Sequence, residues 1–287
     1  EYNGNYQVGN WKWRAWKRGG HGPTDMKKSL VESVNTYYYK FSDQIGYAPI
    51  VKVARDFSLG QKSGIDVPGE KTGIIPDPDW KKKKTKTVWF RGDTILLSIG
   101  QGFTLVTPIQ LAKAYTFLAN KGWAYDPHVV SRIEDVQTRK IETVVTQKTD
   151  LTDYPASFYE TINDALIATV DQNNGTTKIM KNPYVKVAAK SGSAQNPHSK
   201  LTQAWVAGYF PADKDPEVVF VCLLEGAGGG GVMAGGMAKR FLDKYLEVEK
   251  GIEPVKNTPI QPKIGETNGN IFPVLARANP NVEDIPE

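Results

Sequence analysis

Residues 185–224, VKVAAKSGSAQNPHSKLTQAWVAGYFPADKDPEVVFVCLL, decide the fold. Three runs in it, Val185–Ala189, Thr202–Phe210 and Glu217–Leu224, are short and rich in Val, Phe, Tyr and Trp, the composition of strands. They are split by the turn formers Asn196-Pro197 and Pro211-Ala212-Asp213, and the short second connection makes the last two runs antiparallel neighbours. Lys190-Ser191-Gly192-Ser193 falls at the end of the first. A glycine run, Gly228 to Gly231, then leads into a helical pattern over Val232–Glu247.

Upstream, the period changes from two to 3.6. Asp25–Gly46 reads as helix through Leu30, Val31, Val34, Tyr37, Tyr38 and Phe41, with Gly46 as its C-cap. Gly100-Gln101-Gly102 is a tight turn, and Thr107-Pro108 is an N-cap followed by Pro at N1, opening an amphipathic helix with Ile109, Leu111, Ala112, Tyr115 and Leu118. Phe158–Gln172 is helical again, and Val129–Val145 reads as a hairpin around Gln137-Thr138-Arg139. Residues 1–24 show no sustained period and read as ordered but irregular, while Gly60–Pro78 is turn-rich. Helices first, then a strand meander closed by a helix, indicate an α+β domain with an antiparallel sheet over residues 1–250. Residues 251–287 read as a polar, Pro-rich tail.

Composition narrows the function classes. At 287 residues, 40% hydrophobic and 23% charged, the chain is of ordinary globular make-up. Its net charge of +5 is concentrated at Lys81 to Lys84 with Lys86, which follow Pro76, Pro78 and Trp80 and so decorate a loop; a contact with an anionic surface is the alternative. No nucleic-acid motif accompanies the charge, and no nucleic-acid partner is expected. The one cysteine, Cys222, excludes an internal disulfide and a thiolate metal cluster, and lies in an apolar run where a buried thiol is the default. No run approaches the length that spans a bilayer. His21, His128 and His198 each follow Gly or Pro, which assigns them surface or structural roles.

Three short patterns carry the chemistry: Ser33-Val34-Asn35, Gly100-Gln101-Gly102 and Lys190-Ser191-Gly192. Singly each is a chance-level triplet. Together and in order, the first and third resemble the S-x-N and K-S-G motifs of the penicillin-recognising acyltransferases. Ser98-Ile99-Gly100-Gln101-Gly102, Thr107-Pro108-Ile109-Gln110 and Ala204-Trp205-Val206-Ala207-Gly208-Tyr209 resemble class B penicillin-binding proteins in particular. Trp16-Lys17-Arg18-Gly19-Gly20-His21-Gly22, Gly64-Ile65-Asp66 and Gly92-Asp93 are similar to the elongation-specific penicillin-binding protein 2 branch.

That resemblance implies an antiparallel sheet flanked by helices with an all-helical subdomain, and peptidoglycan D,D-transpeptidase activity through a serine acyl-enzyme that β-lactams intercept. It implies that Ser33 relays a proton to the leaving amine, Asn35 donates its amide to a substrate carbonyl, and Lys190 supplies ordering charge. Ser191, Gly192, Ser193 and Gln195 would bind substrate: hydroxyls for its carboxylate, a glycine for close backbone approach, and the Ser193 N–H as an oxyanion donor. The implied ligands are stem peptides ending in D-Ala-D-Ala and β-lactams. The implied partners are a RodA-type glycan polymerase and the scaffold MreC, with the domain on the outer side of the cytoplasmic membrane. No cofactor is implied. Some relatives hold a metal near the site through Asp, His and Cys; with Cys222 far along in a strand, no metal is expected at His21.

The departure lies in the family's first motif. No S-x-x-K occurs in the chain; the one Ser or Thr three places before a lysine is Thr24, before Lys27. The nucleophile is therefore absent from this chain, which reads as lacking the N-terminal part of the domain and as inactive alone. A scaffold or sensor without the nucleophile is the alternative, and a serine β-lactamase a more distant one. One geometric expectation follows. Ser33 and Asn35 are two apart, so on a regular helix they would diverge by about 200°. To share a site with Lys190, 157 residues away, they need a break in the Asp25–Gly46 helix.

Overall fold

The computed structural model describes residues 4–195 and 202–253. The chain opens with a hairpin of β1 (Asn5–Val8) and β2 (Trp11–Arg14), turned at Gly9, whose φ of 56° is open to glycine. This corrects the expected irregularity of residues 1–24. Helices α1 (Met26–Val31), α2 (Asn35–Ile45) and α3 (Tyr47–Asp56) follow, then α4 (Pro78–Thr85), α5 (Arg91–Leu97) and α6 (Pro108–Ala119). Two small sheets pair β3 (Trp123–Tyr125) with β6 (Lys148–Asp150), and β4 (Arg132–Glu134) with β5 (Ile141–Thr143). The second pair is the hairpin expected around Gln137-Thr138-Arg139. Helix α7 (Ala156–Asp171) precedes the main sheet of β7 (Ala188–Ala194), β8 (Gln203–Phe210) and β9 (Val218–Leu224), closed by α8 (Met233–Lys250).

The sheet is antiparallel in the order β7-β8-β9, and alternation along its strands sorts the core into two layers. Ala189, Val206, Phe210 and Phe220 face Ala234, Ala238 and Leu242 of α8. Ala188 and Tyr209 face the other way, onto Ala119 of α6 and Leu166 of α7. The result is a helix–sheet–helix sandwich with an outlying group of helices and small sheets.

Two strand and helix assignments are corrected. Lys190 to Ser193 lie inside β7, not beyond its end, because pairing of Lys190 with Ala207 and Ser193 with Ala204 extends the ladder through a polar stretch. Lys81 to Lys84 form half of α4, not a loop; Asp77 caps it by accepting from the Trp80 N–H at 2.7 Å, and Pro78 enters its first turn. Lys81 is buried, bonding Asp93 at 2.6 Å beneath the Phe90 ring. The Thr107 cap is present as expected, its hydroxyl accepting from the Gln110 N–H. The Gln110 amide in turn donates to the carbonyls of Gln61 and Thr72, which fastens the turn-rich loop to α6. The turn at Asn196-Pro197, and the expected tail beyond Glu253, lie outside the described residues. No helix among the described residues is long and apolar enough to cross a membrane.

Candidate active site

The Asp25–Gly46 pattern is broken where the side-chain geometry requires it. Helix α1 ends at Val31, Ser33 adopts a left-handed φ of 54°, and α2 restarts at Asn35. Left-handed backbone in a non-glycine residue is a local strain held by its surroundings. Val34, fully buried, pins the bend from below, and its N–H donates to the Ser29 carbonyl at 2.9 Å. Ser33 and Asn35 are thereby turned together into a cleft of about 980 Å³.

Across that cleft runs β7. The Lys190 ammonium donates to Ser33 Oγ at 3.0 Å and to the Ser191 carbonyl at 2.7 Å, so the two sequence motifs meet in one hydrogen-bonded group. Burial pushes the Lys190 ammonium down to about 8. Ser191, Gly192, Ser193 and Gln195 line the same cleft, with Gly192 paired to Trp205 in the ladder. Among the described residues β7 is an edge strand, so its outer backbone groups face the cleft instead of another strand.

The glycine run covers the far side of β7. The Gly230 N–H donates to Ser193 Oγ at 3.0 Å, leaving the hydroxyl proton free to donate. A Cβ on Gly230 would overlap the Gly192 carbonyl, and one on Gly231 the Thr176 carbonyl, so both glycines are required for backbone to pass this close. A Cβ on Gly192 would meet the Trp205 side chain only at an ordinary 3.6 Å. Intramolecular packing thus leaves room at Gly192 on the protein's own side.

Behind the Ser33 bend lies a polar group that residue types alone did not reveal. His21, expected in a surface or structural role, is buried, with Nδ1 2.7 Å from Glu32 Oε2 and its ring edge-on to Trp16. The Asn174 amide donates to Glu32 Oε1 at 2.8 Å, and the Trp16 indole N–H reaches the carbonyls of both Glu32 and Ser33 at 3.1 Å. Burial opposes ionisation of Glu32, but the hydrogen bonds of His21 and Asn174 hold its carboxyl below the usual range. No group of three or more His, Cys, Asp or Glu suited to a metal occurs among the described residues.

Other cleft residues were missed as site residues: Lys12, Trp13 and Arg14 of β2, Tyr38 and Tyr39 of α2, and Gln101. Asp66, part of a quoted run, is a structural tie, its carboxylate accepting from the N–H groups of Val129 and Val130 at 2.7 and 2.9 Å. Cys222 is half-buried, and desolvation raises its thiol.

An edge strand carrying Lys-Ser-Gly thus faces a Ser-x-Asn bend on a helical wall across one cleft. The family model for the penicillin binding protein transpeptidase domain matches residues 1–244, and the chain belongs to that family. It is similar to the peptidoglycan D,D-transpeptidase MrdA of Haemophilus influenzae, with 33% identity over 88% of this chain and 41% of that protein. Among solved structures it is similar to the penicillin-binding protein PBP2 of Helicobacter pylori in complex with MreC, with 28% identity, a TM-score of 0.76 and coverage of 87% of this chain and 45% of that one. It is also similar to PBP2 of Pseudomonas aeruginosa in complex with WCK 5153, at 29% identity and TM-score 0.76, covering 89% of this chain and 57% of that one. The chain thus spans about two fifths of the length of the curated relative.

Proposed function

We propose that the protein containing this chain is a peptidoglycan D,D-transpeptidase of cell elongation, and that residues 1–287 supply its proton-relay and substrate-binding walls. The observation that carries this reading is the 3.0 Å bond from Lys190 to Ser33, which joins the second and third motifs in one cleft. A D-Ala-D-Ala amide is cleaved when a serine attacks its carbonyl, a donor pair steadies the oxyanion and an acid protonates the departing amine. Ser33, charged through Lys190, is within relay reach of such an amine, and the Asn35 amide orients the substrate carbonyl. Ser191 and Ser193 hold the terminal carboxylate, the Ser193 N–H serves the oxyanion, and Gln195 contacts the peptide beyond. An acceptor amine then releases the acyl group as a cross-link.

Because residues 1–287 contain no S-x-x-K, the acylated serine is assigned to sequence other than these residues. The full-length protein, treated with labelled penicillin, is expected to gain one covalent adduct by intact mass, and residues 1–287 alone none. An adduct on this chain would overturn the assignment of the nucleophile. Absence of an adduct on the full-length protein would favour the scaffold or sensor reading. The same reading puts the domain outside the cytoplasmic membrane on an anchor encoded elsewhere, beside an MreC-type scaffold and a RodA-type polymerase. Recovery of the full-length protein from the cytosol after fractionation would remove it.

A further inference from the structure

Residues 172–177 follow directly on α7 and hold the chain beside both motifs from behind the cleft. On the helical wall, the Asn174 amide donates to Glu32 Oε1 at 2.8 Å and the Thr176 N–H donates to the Val31 carbonyl at 3.2 Å. Glu32 is the residue before Ser33. On the strand wall the matching contact is to Ala189, the residue before Lys190. Its carbonyl lies 2.5 Å from Thr169 Oγ in the last turn of α7, and Thr169 Oγ lies 2.5 Å from Thr177 Oγ. Oxygens this close need a proton between them, so Thr177 donates to Thr169 and Thr169 donates to Ala189. The Leu166 carbonyl, at 2.8 Å, is the more distant of the two acceptors open to Thr169. Both threonines are fully buried.

The two arms are joined without slack. A Cβ on Gly175 would lie 2.0 Å from the Thr169 carbonyl, and the Thr177 N–H donates to that same carbonyl at 3.1 Å. The segment is therefore laid directly on the end of α7, with Asn174 and Thr169 at a fixed spacing. Ser33 and Lys190 themselves meet through one hydrogen bond of 3.0 Å across 157 residues of chain. A single bond between flexible side chains fixes a distance poorly, whereas placing reacting groups to within about 0.5 Å is the work of the contacts that support them. Of the two walls β7 is the better anchored, through its ladder to β8, so position passes from the strand to the bend.

We infer that residues 169–177 form a strut that takes its position from β7 and sets where the Ser33 bend stands, with Thr169 and Asn174 as its positioning residues. This deepens the transpeptidase reading and rests on it. Neither side chain lines the cleft; each acts through the separation of Ser33 and Lys190.

The test follows acylation of the full-length protein by labelled penicillin, with thermal unfolding alongside. Asn174 is exposed, so Asn174→Ala keeps the fold. Its rate at saturating penicillin is expected to fall about tenfold while the half-saturating concentration stays within about twofold, because a displaced relay group slows the reaction and leaves binding intact. Thr169→Val removes the hydroxyl with little change of shape and should slow acylation as far, whereas Thr169→Ser keeps the hydroxyl and should stay within about twofold of wild type. A strut broken at one end is already broken, so the Asn174→Ala/Thr169→Val pair should be about as slow as either single variant, where independent lesions would multiply to about a hundredfold. A wild-type rate in Asn174→Ala, a multiplied loss in the pair, or a Thr169→Ser as slow as Thr169→Val would each overturn the strut. Should Thr169→Val fail to fold, the rate of Asn174→Ala decides alone. Penicillin on the wild type separates the two layers: an adduct there with an unaltered rate in Asn174→Ala sinks only the strut, and no adduct sinks the transpeptidase reading as well.

Discussion

The two halves of the cleft are built on different principles. The Lys190 side is a strand whose positions are fixed redundantly, by a ladder to β8 and by apolar layers on both faces. The Ser33 side is a three-residue bend with a left-handed backbone, held by the buried Val34 and by polar contacts converging on Glu32. The strand can lose a side chain and keep its geometry. The bend depends on a few hydrogen bonds whose removal leaves a buried polar group unpaired, the more costly kind of loss.

The largest expected effect tests the strand through its chemistry alone. Lys190→Ala in the full-length protein should slow penicillin acylation by about a hundredfold or more, the scale of a lost charge or proton-transfer group, while folding survives. Stopped-flow acylation paired with thermal unfolding checks both halves of the statement. Acylation within a few-fold of wild type would remove Lys190 from the active site.

Next comes backbone position on the strand side. Gly230→Ala forces a methyl group into the Gly192 carbonyl, and overpacking of this kind costs about 1 to 3 kcal/mol. Denaturant titration measures the stability change. If Gly230→Ala matches the wild type in both stability and acylation, the close passage of the glycine run is not needed to hold β7.

The bend is tested by a pair of variants. Glu32→Ala strands the buried His21 and removes the acceptor of the Asn174 amide, and should cost about 1 to 3 kcal/mol, with kcat falling more than KM rises. Glu32→Gln keeps an acceptor and a donor and should restore most of the loss. Failure of the glutamine to rescue would mean that the carboxylate charge, not the hydrogen bonding, holds the bend.

The last effect is a pH dependence. Because burial lowers the Lys190 ammonium from 10.5 to about 8, the folded chain releases this proton first as pH rises. Between those values the unfolded chain holds a proton that the folded chain lacks, so this group makes stability rise with pH across the window. Capture of a carboxylate by Lys190 should weaken over the same range, seen as KM climbing above pH 8. Lys190→Met should abolish both slopes; if the slopes persist, another group carries them.

Legibility in the sequence divided along the same line. The capped helix α6, the hairpin at Gln137-Thr138-Arg139 and the break at Ser33 were readable, because each follows from local residue chemistry or from side-chain directions along a helix. The β1–β2 hairpin is not legible from period alone, although Gly9-Asn10 between a Tyr-bearing and a Trp-bearing run is a two-residue turn signal. Its alternation is masked because Trp11, a large apolar residue, is exposed along with Lys12 and Arg14, and only Trp13 is half-buried. The polar Lys-Ser-Gly-Ser stretch reads as a strand's end, and only pairing with β8 extends it. Burial of His21 and Lys81 was illegible because their partners, Glu32 and Asp93, lie 11 and 12 residues away and meet them only in the folded chain.

The open edge of β7 has a consequence for the life of the protein outside catalysis. Unpaired backbone groups that would accept an extended peptide will also accept any other strand, including one from a neighbouring molecule, so this edge is one place where misassociation can be seeded. Its own residues resist that outcome. Lys190 puts a cation in mid-edge, Gly192 supplies no side chain for a foreign strand to pack on, and Lys12 and Arg14 repel basic segments across the gap. Neutralising these cations should therefore leave the chain more prone to aggregate at low salt, and light scattering of the Lys12→Gln/Arg14→Gln variant against wild type at equal concentration would register the difference.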